Sequence, residues 1–182
     1  MASTFFGIQA AFALVGDPRR HLLADLVRRH RESTDLISQR QCWTQLDTLL
    51  GPACDRITLG TWDLLREQAN ATYEEWASGL EAMATWPVDD FGTNGDLLLV
   101  TAIVLVQGGS NADTTLGDLC DLPESRWHRQ STFRMLFQAL LQLNLTNVLG
   151  SGLYLSPRPD LPGFSREVLT GSGFEYLQRI VD

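Results

Sequence analysis

The chain contains no lysine: its 14 basic residues are all arginine. That excludes a lysine-bearing phosphate loop and a Schiff-base nucleophile, and with them several enzyme classes. Cysteine is scarce. Cys42, Cys54 and Cys120 are an odd number without CxxC spacing, so they read as free thiols of a reducing compartment rather than a disulfide or zinc framework. The three histidines, His21, His30 and His128, stand in no HExxH or HxH arrangement, and no metal or cofactor is expected. No GxSxG or GxGxxG motif occurs, and Gly150-Ser151-Gly152 reads as a glycine-rich bend. The longest apolar run is about half of what a membrane-crossing helix needs. The apolar start of the chain has no basic residues ahead of it, as a signal peptide would, and is read as a strand.

The net charge is −8, which argues against a general nucleic-acid binder. A length of 182 residues is read as one domain, 1–182, large enough to bury a core unaided. That apolar run is Leu97 to Val106, interrupted only by Thr101, and it sits between Gly95 and Gly108-Gly109. Its β-branched residues and lack of alternation predict a strand buried on both faces. Upstream, Phe6, Ile8, Ala10, Phe12 and Leu14 alternate with Gly7, Gln9, Ala11 and Ala13, the period of a strand with one bulky and one small face. Asp17-Pro18 predicts a helix start, with Leu22, Leu23, Leu26 and Val27 inward. Ser33, Thr34 and Asp35 offer caps for a second helix that buries Leu36, Ile37, Trp43, Leu46, Leu49 and Leu50 and stops at Gly51-Pro52.

Ile57 to Leu59 reads as a short strand. Trp62, Leu65, Ala69, Tyr73, Trp76, Leu80 and Met83 recur at steps of three and four and predict a third helix. Gly108 to Asp121 reads as an acidic loop suited to a partner. Ser131–Leu143 reads as a fourth helix, Val148–Leu155 as a last strand, and Phe174–Val181 as a short amphipathic piece. The fold expected is α+β, a small mixed sheet of three to four strands covered by about four helices.

The chemistry is sparse. Asp89 beside Asp90, and Glu124 close to Trp127 and His128, are candidates for a cleft at the sheet end. Between Asp17 and Arg40 six arginines meet four acids, a net positive stretch in an otherwise acidic chain. Asp25 with Arg29 and Arg28 with Glu32 are spaced for helix-surface ion pairs, which leaves Arg19, Arg20 and Arg31 as a candidate patch for an acidic partner or an anionic membrane surface.

Several segments in order, FGIQAAFAL, STDLISQRQCWTQLDTLL, LLLVTAIVLVQG and GLYLSPRP, together resemble domain-of-unknown-function family 1517 of cyanobacteria and chloroplasts. The likeness spans most of the chain and is most specific around Leu99-Val100-Thr101. It departs where the family's Trp-Thr-Pro turn is replaced by Leu155-Ser156-Pro157, and where a charged helix stretch gives way to Tyr73-Glu74-Glu75-Trp76. The resemblance supplies no catalytic residues. It implies a role in adjusting photosynthesis. The expectation is thus a soluble, cytoplasmic, non-enzymatic accessory protein that acts by binding a protein partner. It has no nucleic-acid role, no transmembrane segment and at most weak peripheral contact with a membrane. The alternative is a small-ligand binder or enzyme with a cleft at the sheet end.

Overall fold

A computed structural model describes residues 2–14, 16–85 and 95–182. Strands β1 (Ser3–Ala13), β2 (Ile57–Leu65), β3 (Leu97–Gln107), β4 (Val148–Ser156) and β5 (Gln178–Arg179) form one sheet in the order β4-β3-β1-β2-β5. The helices are α1 (Arg19–Glu32), α2 (Leu36–Leu50), α3 (Ala69–Thr85), α4 (Asn111–Cys120), α5 (Gln130–Gln142) and the single turn α6 (Arg166–Leu169). The fold is α+β, as expected. Among the described residues the sheet differs from expectation in having five strands, and every strand pair in it is antiparallel rather than mixed.

β1 and β3 occupy the middle of the sheet, paired along their full length from Ser3 opposite Gln107 to Ala13 opposite Leu97. On one face Phe6, Ile8 and Phe12 of β1 join Leu98, Val100, Val104 and Val106 of β3 beneath α1, α2, α4 and α5. On the other, Phe5 and Ile103 lie beneath α3, while Ala11, Leu97 and Leu99 lie beneath Phe164, Leu169, Phe174 and Leu177 of the C-terminal segment. Cover on both faces is why β3 reads as continuously apolar rather than alternating. Leu98, Val100 and Ile103 are buried as expected, while Leu105, expected with them, is only half-buried.

The periodic stripe assigned to a third helix is split by the structure. Trp62 and Leu65 belong to β2, paired opposite Ile8 and Phe5, and the helix begins at Ala69 after a left-handed Gln68 at φ 56°. Trp62 therefore packs on the opposite face of the sheet from Trp76. A three-four spacing carried across a strand and a turn is coincidental, because pairing with β1 outweighs local propensity. The expected acidic loop Gly108–Asp121 is mostly helix α4. Ser110 caps it, and Asp113 is buried, accepting hydrogen bonds from Gly109 N and Thr4 Oγ1 and pairing with Arg66. Leu22, Leu36 and Ile37, expected inward, are exposed: α1 buries Arg20, Leu23, Leu26 and His30, and the first turn of α2 extends past the core.

Candidate functional site

A polar cleft lies along the outer edge of β4. Ser151, Gly152, Leu153 and Tyr154 form its floor, four residues in sequence. β4 is an edge strand, and among the described residues no strand pairs with its outer side. One wall comes from the last turn of α1 (His30, Arg31), Ser33 and Gln39, the other from Tyr73, Ala77 and Glu81 of α3. The cleft has a volume of about 330 Å³ and is open to solvent. The helices project past the edge because α1 packs on one face of β4 and α3 on the other.

The two glycines keep this edge low. A methyl group at Gly150 would lie 3.0 Å from the Tyr73 hydroxyl oxygen, and one at Gly152 would lie 2.6 Å from the Tyr154 ring and 3.0 Å from buried Ile103. Both tyrosines can therefore lean over the strand and direct their hydroxyls into the cleft region. Burial raises the Tyr154 phenol to about 12, helped by Tyr73 and Glu81 and opposed by Arg31. Burial also raises Tyr73, with Glu81 adding to it. Both phenols remain protonated donors at neutral pH.

His30 is buried, packed against Trp43 with ring centroids 4.8 Å apart. Its Nε2 lies 3.3 Å from Ser151 Oγ. Desolvation lowers its pKa to about 4, so the imidazole is neutral. Serine and histidine at this distance resemble a nucleophile with its base. The base is weak, however, and among the described residues no carboxylate hydrogen-bonds the ring to orient it or stabilise its charged form. The charged members of the lining are Arg31 and Glu81, one of each sign.

The arginine trio does not assemble. Arg20 is buried and donates to the carbonyls of Arg158 and Leu161, so it serves the core rather than a surface patch. Arg19 lies 3.7 Å from Asp17. Arg31 is exposed and lines the cleft. The neighbouring ion pairs form where the spacing placed them, Arg29 with Asp25 and Arg28 with Glu32. Glu124 is exposed on a short 3₁₀ turn. His128 lines a second cleft with Trp62, Asp63, Leu64, Cys120 and Trp127, and Glu124 takes no part in that lining. Asp89 lies outside the described residues.

Sequence reasoning missed His30, Ser151, Tyr73, Tyr154 and Glu81 as a group. The available signal was a Gly-Ser-Gly in a strand followed by a tyrosine, since glycine inside a strand marks close approach of another group. Among the described residues no cluster of three metal-ligating side chains occurs, and no helix is long and apolar enough to cross a membrane. Compared with protein-family models, curated proteins and solved structures, the chain matches none.

Proposed function

We propose that the protein is a binding module that takes an extended segment of a protein partner along the outer edge of β4. The observation that carries this reading is that a sheet edge with no strand paired to it among the described residues forms the floor of a cleft walled by helices from both faces. An edge strand offers alternate N–H and C=O groups, the complement of an extended peptide, and flanking side chains then select its residues. Here the selecting groups are neutral donors and acceptors (Tyr73, Tyr154, Ser151, His30) with one cation and one anion, Arg31 and Glu81. A polar segment carrying charges of both signs suits them. The resemblance to family 1517 directs the search for the partner to photosynthetic cells, in a reducing compartment.

The test is a displayed library of linear peptides selected on the full chain, followed by hydrogen exchange with the selected peptide. Protection of the Ser151–Tyr154 amides, and loss of binding in Arg31→Glu/Glu81→Arg, is the expected result. Enrichment of no peptide, or protection confined to another face, removes the reading. A second reading, nucleophilic catalysis by Ser151 with His30 as base, is favoured by their 3.3 Å contact. Labelling of Ser151 by a fluorophosphonate, absent in Ser151→Ala, would replace the first reading with the second.

A further inference from the structure

The second cleft lies across the sheet from the first, beside β2, and its chemistry is different. Its volume is about 300 Å³. Two of its walls are the indoles of Trp62 and Trp127, 6.1 Å apart and 80° to one another. Neither indole N–H is free to bind a ligand. Trp62 Nε1 donates to the Trp127 carbonyl at 3.0 Å, and Trp127 Nε1 to the Leu122 carbonyl at 2.8 Å. These bonds fix the rings in their edge-to-face pair and leave the remaining π surface to the cleft.

Asp63 supplies the negative charge. Its carboxyl is raised by burial, with the Leu64 amide as its one opposing hydrogen bond. Among the described residues no cation pairs with it, and Arg66, three residues on, is paired with Asp113 at 3.2 Å. Burial pushes the Cys120 thiol up to about 12, opposed by Arg66 and reinforced by Asp63, so the thiol remains neutral and Asp63 is the lining's acidic group. His128 completes the lining, with its Nδ1 turned away from solvent and, among the described residues, without a hydrogen-bond partner.

Perpendicular aromatic walls and an unpaired half-buried carboxylate attract the same kind of guest. The ring quadrupoles favour a cation over their faces, and the carboxylate favours one by charge. An anion is repelled by both, and a neutral molecule gains neither attraction. We propose that the Trp62–Trp127 cleft is a binding site for a small organic ammonium cation, with Asp63 as its counter-charge.

The experiment uses the ¹⁵N-labelled full chain, whose five tryptophans give distinct indole N–H signals. Choline is titrated at constant ionic strength against 3,3-dimethylbutanol, its neutral analogue. The expected result is a saturable shift of the Trp62 and Trp127 signals with choline, and binding of the alcohol weaker by roughly tenfold. Asp63→Asn should weaken choline by a similar factor. Trp127→Phe, which keeps a π face, should retain weakened binding that Trp127→Ala abolishes. Equal response to choline and the alcohol, no saturable shift in the wild type, or full affinity in Asp63→Asn would each overturn the proposal.

Discussion

His30 shows how one buried residue couples the fold to pH. It is 6% exposed, pressed between Trp43 and Ser151, and its surroundings hold its pKa near 4 instead of 6.5. Above pH 6.5 both the folded and unfolded chains carry a neutral imidazole, and burial costs nothing in charge. As the pH falls from 6.5 towards 4, the unfolded chain takes up a proton that the folded chain refuses, so stability is lost across that window. The difference corresponds to about 3 kcal/mol at its acid end. His30→Gln is therefore expected to be less stable than wild type at neutral pH, through lost packing, yet to lose less stability on acidification. Urea melts of both proteins across the window measure this. Parallel pH profiles would show that the imidazole takes up its proton as readily in the native state as in the unfolded chain.

At the scale of elements, glycines determine how closely helices approach the sheet. Gly60 of β2 lies under α5, where an added methyl group would sit 2.5 Å from the Phe133 ring and 3.0 Å from the Gln9 carbonyl oxygen. Phe133 is fully buried and has no room to retreat. Gly60→Val is expected to destabilise by roughly 1–3 kcal/mol through forced repacking. Gly79, inside α3, has nothing within 4 Å of the same position. Gly79→Ala is expected to stabilise by about 0.5–1 kcal/mol, because alanine loses less backbone freedom in a helix. Denaturant midpoints of the two variants should move in opposite directions. Both residues are glycines in apolar-rich segments, and only their neighbours in space distinguish them.

For the whole molecule, burial on both faces of the central strands is the main organising force. Val100 is 1% exposed and packs within the larger core cluster. Val100→Asp is expected to prevent folding, because a buried unpaired charge costs several kcal/mol or must be neutralised at similar expense. Ile37, at 73% exposure, is equally apolar in composition. Ile37→Asp is expected to lie within about 0.5 kcal/mol of wild type. Circular dichroism and thermal melting compare them directly. A cooperatively folding Val100→Asp protein would contradict the buried-sheet architecture. The same architecture leaves two long-range features at its margins, the polar cleft beside β4 and the aromatic cleft beside β2, so the sheet's edges rather than its covered faces carry the candidate chemistry.

Local pattern was sufficient for much of this. The alternation in β1, the unbroken apolar run of β3, the Asp35 cap, the stop at Gly51-Pro52 and the span of α5 all express interactions within a few residues of one another, and each was legible in the sequence. So were the helix-surface pairs Asp25–Arg29 and Arg28–Glu32, which depend only on helical spacing. The failures arose where distant residues decided the outcome. Pairing with β1 made Trp62 part of a strand, contact with Thr4 and Arg66 made Asp113 the buried anchor of a helix, and the carbonyls of Arg158 and Leu161 drew Arg20 inward. The β4 cleft belongs to this second group. It joins residues from 30 to 154 that become neighbours only when α1 and α3 close over opposite faces of an edge strand. Sequence patterning alone determined which segments are helices or strands wherever short-range order dominates. Tertiary packing alone decided which polar groups share a cavity, because burial and long-range pairing set their positions and their protonation.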